Sequence, residues 1–383
     1  YKDKYDILVT NFEGFRIVNE MLGVNGGNII LKQVGKALNV IDNKIGIIYG
    51  RMEGDKFAIL IKSAKLPDGL KLIKESIDKI INRTPLILKI GIANILDDNI
   101  ESAYERAIKT LHYIAHDYSK AIALYDEKVN ESYIRSQNLI LDFDDAIKDH
   151  QFLVYLQPQI NSYDNAIIGA EALIRWHHPK YGMIPPSEFI PLFEKNMMIN
   201  RLDMFVWEEA CRFLKKWSDD EYKKLSISVN ISTKDFYLID VVSTIIGLKD
   251  KYQIETNRLK LEITESAFVN DQDLLIKNVV ALQKAGFIVE MDDFGSGYSS
   301  FNSLKDIPID VLKLDMKFLD GDINNKKTSE ILTSVISMAH RINLPVIAEG
   351  VETKEQCELL HEIDCDLIQG YYYSKPVSYT HLT

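Results

Sequence analysis

The sequence predicts an α/β protein in two parts: a (β/α)8 TIM-like barrel over residues 150–383, preceded by an α+β unit with a central mixed sheet over residues 1–126. Three observations carry this. From Phe152 onward, eight short apolar runs recur at regular intervals. Amphipathic stretches at helical spacing fill most of the gaps between them. In the first 125 residues, strands also alternate with helices, but two of them flank the turn-like Glu53-Gly54-Asp55, and that hairpin makes the sheet mixed.

Asp6-Ile7-Leu8-Val9 reads as the first strand, and residues 14–38 as a helical pattern interrupted at Gly23 to Gly27. Residues 45–49 and 57–61 form the hairpin strands. Residues 71–81 and 100–116 are amphipathic helices, with a strand at 86–93 between them. Residues 127–149 are polar, with Ile134, Leu139, Leu141 and Ala146 at helical spacing, and read as one connecting helix. No proline-rich or low-complexity linker interrupts them, so a semi-rigid junction is expected.

Each apolar run of the barrel region is tied to a polar residue. Leu153 to Leu156 leads to Gln157, Ile167 to Ala170 to Glu171, and Leu225 to Val229 to Asn230. Leu259 to Leu261 leads to Glu262, and Phe287 to Met291 to Asp292 and Asp293. Val311-Leu312 leads to Lys313, Val346 to Ala348 to Glu349, and Leu367-Ile368 to Gln369. In a barrel of this type the C-terminal strand ends converge on one face, so these residues should form one ring.

Composition narrows the chemistry. With 46% hydrophobic residues there is enough apolar material for two cores. A formal net charge of −11 argues against DNA or RNA as partner, which needs a basic face. Cys211, Cys357 and Cys365 form no CxxC pair and read as reduced, which suits a cytoplasmic location. No apolar run reaches the roughly 18 residues of a membrane span, leaving room for an anchor upstream of Tyr1 in a parent protein. His177-His178, before Pro179, reads as a loop element.

Glu171, Asn230, Glu262, Asp292, Asp293 and Glu349 are all oxygen donors, with no histidine or cysteine among them. Such a set suits Mg²⁺ or Mn²⁺. It is large enough for two ions about 4 Å apart, a device for in-line displacement at phosphorus. Lys313 adds a fixed positive charge, and Arg175 could grip a phosphate. Read alone, these residues leave two options open: a metal-dependent phosphoester hydrolase, or an enolase-type site of acids and a lysine.

Glu171-Ala172-Leu173-Ile174-Arg175-Trp176 opens a series of motifs. It is joined by Tyr155-Leu156-Gln157-Pro158, Ser228-Val229-Asn230-Ile231-Ser232 and Leu261-Glu262-Ile263-Thr264-Glu265-Ser266. Asp292 to Ser300, Leu312-Lys313-Leu314-Asp315, Ala348-Glu349-Gly350-Val351-Glu352 and Gln369-Gly370-Tyr371 complete it. Over residues 140–377 the chain thereby resembles the EAL-domain cyclic di-GMP phosphodiesterases. The resemblance implies hydrolysis of cyclic di-GMP to linear pGpG. It implies Glu171, Asn230, Glu262, Asp292 and Asp293 as metal ligands, Glu349 as metal ligand or general base, and Lys313 as the group that holds the attacking water or stabilises charge. Gln157, Leu173, Arg175, Asp315, Glu352 and Gln369 become substrate contacts. Glu265 would order the loop after Asp293, which in that family couples metal binding to a homodimer formed through the EAL domain.

Arg51-Met52-Glu53-Gly54-Asp55-Lys56-Phe57 stands where a GGDEF signature would, and Asn11 to Glu20 resembles the metal- and guanine-binding segment of diguanylate cyclases. Asn11, Asn28, Glu53 and Lys56 depart from that pattern. Carboxylates that would hold Mg²⁺ on a triphosphate are lost, and Glu53 puts bulk where phosphate approaches bare backbone. This degenerate GGDEF-like domain is expected to be inactive, in a structural or regulatory role. Asn19 keeps GTP open as a regulatory ligand. The alternatives are a cyclic di-GMP receptor without hydrolysis, for which some acids should be missing, and a phosphodiesterase gated by GTP.

Overall fold

A computed structural model describes residues 4–95, 99–115, 117, 119–219, 221–269, 272–295, 307–316 and 326–378. It divides into two compact units, residues 1–139 and 140–383.

The first unit is a five-stranded sheet of β1 (Tyr5–Glu13), β2 (Ile48–Arg51), β3 (Phe57–Lys62), β4 (Ile87–Ile95) and β5 (Ile122–Leu124), in the order β2-β3-β1-β4-β5. β1 is antiparallel to β3 and β4, while β5 is parallel to β4, so the sheet is mixed. Alternation along β1 sets the two faces. Leu8 packs with Ile73, Ile77 and Val34 from the helices Leu66–Ile81 and Phe15–Ile45, whereas Ile7 and Val9 meet Ala103, Ala107 and Leu111 of Ile100–Ile114. The last helix lies so close that a Cβ on Gly91 would stand 2.2 Å from the Ala107 carbonyl oxygen. The expected interruption in the first helix is a single residue, Gly23, at φ 71°.

The connecting segment is two helices, Glu127–Leu141 and Phe143–Lys148, where one was expected. Asp142 falls between them, and its carboxylate receives His178 Nε2 at 3.1 Å. His178 is accordingly a buried structural residue at the end of a strand, its Nδ1 accepting from the Lys180 N–H at 3.0 Å, and not part of a loop.

The second unit closes as an eight-stranded barrel of β6 (Phe152–Asn161), β7 (Ile167–His178), β9 (Ser226–Asn230), β10 (Leu259–Thr264), β11 (Ile288–Phe294), β12 (Val311–Asp315), β13 (Val346–Glu349) and β14 (Leu367–Ile368). Two short strands, β8 (Gly182–Ile184) and β15 (Val377–Ser378), add to β7 and β6. One feature differs from a regular (β/α)8 barrel. β6 is antiparallel to both neighbours, because it joins β7 by a tight turn and not by a helix. Gln157 is therefore not at a strand end. It sits inside β6, directly opposite Glu171, and reaches the ring through that register. Outside the barrel, Trp176, Phe152, Phe143, Phe189 and Phe193 stack in one aromatic cluster with centroids 4.7–6.2 Å apart. Among the described residues no helix is long and apolar enough to cross a membrane.

Candidate active site

Strand periodicity of two turns Glu171, Asn230, Glu262, Asp292, Lys313 and Glu349 into the barrel, toward one mouth. Lys313 is fully buried at their centre. Its Nζ lies 2.6 Å from Glu349 Oε1, 2.8 Å from Glu262 Oε1, 3.4 Å from Asp292 Oδ1 and 3.7 Å from Glu171 Oε2. The Asn230 amide donates to Glu171 and Glu262, each at 3.2 Å. Gln369 donates to Glu171 and, at 3.3 Å, to Gln157 Oε1, and the Gln157 amide donates to the Ser374 carbonyl at 3.2 Å.

Crowded acids change one another's proton affinity. Burial raises Glu262 well above the usual carboxylate range, with Glu171 adding to the rise and Lys313 opposing it. Burial likewise carries Glu349 up to about 8, against the pull of Lys313. Burial would lower Lys313, yet the four surrounding carboxylates overcome it and hold the ammonium firmly charged.

β11 slips register against β12 between Met291 and Phe294, and Asp293 adopts φ 56°. The bulge aims two consecutive carboxylates toward the mouth, a strained arrangement that Asp tolerates better than most residues. Glu265, buried beside it, accepts the Gly295 N–H at 3.0 Å. The remaining residues of that motif, Ser296 to Ser300, lie outside the described residues, as does the loop that Glu265 was expected to order.

A cleft of about 390 Å³ opens above the ring, lined by Gln157, Glu171, Leu173, Asp292, Asp293, Asp315, Glu349, Glu352 and Gln369. Arg175 stands outside this lining, its guanidinium donating to the Ile174 carbonyl and lying 5.7 Å from the Tyr155 ring centroid. A second cleft of about 500 Å³ shares Leu173 and Asp293 with the first. Its wall holds Glu194, Asp203 and Ser232, and Asp235 packs fully buried behind them. Sequence reasoning missed these acids, because Asp203 falls within an amphipathic helical pattern where a carboxylate reads as solvent-facing. The Asp235 side chain, which accepts the Ser232 N–H at 2.9 Å, was equally unmarked.

Glu262 Oε1 and Glu349 Oε1 are buried and receive no well-directed hydrogen bond, although Lys313 Nζ is within 2.8 Å of both. Among the described residues no three His, Cys, Asp or Glu side chains are grouped closely enough to hold a metal ion as they stand. The all-oxygen donor set, four carboxyl groups crowded around a single ammonium, fits a hard divalent cation.

Fold and site together define an eight-stranded α/β barrel with a cup of carboxylates at one mouth. The chain belongs to the EAL domain family, whose model matches residues 141–376. Residues 1–111 match the family model "Diguanylate cyclase, GGDEF domain". The chain is 29% identical over 384 residues to the bifunctional diguanylate cyclase/cyclic di-GMP phosphodiesterase MucR of Pseudomonas aeruginosa, covering 98% of this chain and 56% of that protein. It thus spans about half the length of the curated relatives it matches. A solved structure titled as the MucR phosphodiesterase with cyclic di-GMP superimposes with a TM-score of 0.61 at 32% identity, covering 64% of this chain and all of that one. The GGDEF-EAL portion of Vibrio cholerae LapD, at 18% identity, superimposes with a TM-score of 0.69 over 97% of this chain and 90% of that one, and shows the fold alone.

Proposed function

We propose that the barrel hydrolyses cyclic di-GMP to linear pGpG with divalent metal ions, and that the first unit has no cyclase activity. The observation that carries this is the ring itself: four carboxylates and one buried lysine at the floor of a cleft that shares a rim with a second cleft. A cyclic dinucleotide has two bases flanking a doubly charged phosphate ring, and two adjoining clefts over a cation site suit that shape. Similarity to the MucR phosphodiesterase, whose structure is titled as a cyclic di-GMP complex, supports the choice of substrate.

Glu171, Asn230, Glu262, Asp292 and Asp293 would hold two Mg²⁺ or Mn²⁺ ions, with Glu349 as a further ligand or as the base. When bound, the ions supply positive charge to the reacting phosphate and acidify the attacking water. Lys313 keeps the carboxylates from repelling one another and places a fixed charge beside the phosphate. Asn230 and Gln369 orient Glu171, and Gln157 orients Gln369. Leu173, Asp315, Glu352 and Gln369 shape the cleft for substrate. Glu265 fixes the start of the loop after β11, through which a homodimer could act on the ring.

In the first unit, Asp55 Oδ2 accepts the Phe12 N–H at 3.0 Å and Arg51 grips the Gly54 carbonyl at 2.8 and 3.0 Å, so the hairpin keeps its shape. What is lost is charge, at Asn11 and Lys56, which supports a structural or regulatory role.

The test is turnover. Purified protein with Mn²⁺ or Mg²⁺ should convert cyclic di-GMP to pGpG, and Glu171→Ala should lose nearly all of it. A wild-type protein that binds the dinucleotide and never cleaves it, with either metal and at every protein concentration, is a receptor and not an enzyme.

A further inference from the structure

One layer below the acid ring, the barrel interior holds a second polar set on the same inward faces. Ser228, Lys260 and Glu290 each stand two residues before a ring member, namely Asn230, Glu262 and Asp292. Two residues along a strand is about 6.6 Å. Lys260 Nζ lies 3.0 Å from Glu290 Oε1, Ser228 Oγ donates to Glu290 Oε2 at 2.9 Å, and Gln159 Nε2 reaches Ser228 Oγ at 3.5 Å. Glu290, Ser228 and Gln159 are all at 0% exposure. Barrel interiors of this kind are ordinarily filled by Val, Ile and Leu. A buried ion pair gives a barrel little stability that apolar packing would not, because desolvation offsets the attraction. What the pair does contribute is the field it projects onto the ring above.

We infer that Lys260 and Glu290 are positioning residues for the cation site: a neutral pair that sets how strongly the acid ring above attracts divalent metal. Glu290 alone would add negative charge beneath Glu262 and Asp292, and Lys260 alone would oppose cation binding. The two ends of the pair therefore act with opposite sign, which a merely structural role would not produce. This rests on the acid ring being a divalent-cation site.

The experiment is Mn²⁺ binding to the full chain by titration calorimetry, without substrate, for wild type, Glu290→Gln, Lys260→Met and the double variant. Glu290→Gln leaves a positive charge under the ring and should weaken Mn²⁺ binding by about tenfold or more. Lys260→Met should tighten it, and the double variant should return close to wild type. Ser228→Ala removes a hydrogen bond without changing charge and should leave the affinity in place. If Lys260→Met does not fold, Lys260→Gln, which also removes the charge and keeps a polar end, supplies the second sign. Unshifted affinities, or shifts of one sign in both single variants, overturn the inference while leaving the cation site standing. A wild-type chain that binds no Mn²⁺ removes the cation site and this inference with it.

Discussion

Lys313 Nζ lies 2.6 Å from Glu349 Oε1, and three more carboxylates surround the same ammonium within 3.7 Å. In a low-dielectric interior this one charge offsets part of the repulsion among four acids. Lys313→Met should therefore abolish turnover and, without metal, destabilise the barrel by about 3–5 kcal/mol, the range for breaking a buried ion pair. Added Mn²⁺ should raise the unfolding temperature of the variant more than that of wild type, because the ring then has no other cation. Equal Mn²⁺-induced shifts in the two proteins would contradict this role.

Glu265 makes a different kind of contribution. It accepts the Gly295 N–H beyond the Asp293 bulge, and burial holds its carboxyl above the ordinary range while that hydrogen bond lowers it. Outer partners of a metal site typically change affinity or activity by about 10–100-fold when lost. Glu265→Ala is expected to fall in that range for kcat, with the barrel still folded by circular dichroism. Wild-type kcat in the variant would show that the Gly295 contact is dispensable.

The ring was legible because period-two alternation and mainly apolar strand ends are local signals: Glu262 follows Leu-Lys-Leu, Asp292 follows Val-Glu-Met, Lys313 follows Val-Leu and Glu349 follows Val-Ile-Ala. The direction of β6 was not. Asn161 to Ala166 joins β6 to β7 as a short turn, yet polar-after-apolar looks the same in parallel and antiparallel strands, so Gln157 was read as a strand end. β5 has three residues, too few for any period to register. The Lys260–Glu290 pair was hidden for another reason: charges inside a strand look solvent-facing until the barrel closes around them. Asp142, which divides the connecting segment, carries no proline or glycine to announce the break.

The first unit should make no cyclic di-GMP from GTP and Mg²⁺. Asn11 and Lys56 remove the negative charge a metal–triphosphate complex needs, while Asp55 is engaged with the Phe12 N–H. Chromatography of a GTP incubation checks this directly, and any cyclic di-GMP formed would sink it. Adding GTP to the phosphodiesterase assay tests the second role: a change in kcat or KM would mark the unit as a GTP-responsive regulator, and no change would leave it a structural one.

Asp235 and Asp203 give a pH signature independent of the acid ring. Asp235 is fully buried, and burial carries its carboxyl up to about 6, against the Ser232 N–H, whose hydrogen bond pulls it down. Asp203 is raised by burial first and by the Asp235 charge next. The unfolded carboxyl has the ordinary value of 3.8, so between about pH 4 and 6 the folded state binds more protons than the unfolded one. The stabilising contribution is complete below 3.8 and fades as pH rises through 6, a loss of up to about 3 kcal/mol. Asp235→Asn keeps an acceptor for the Ser232 N–H without a titrating proton. Urea unfolding across this interval should therefore show wild type losing stability relative to the variant as pH rises. Parallel pH profiles for the two proteins would mean that Asp235 binds no extra proton in the folded state.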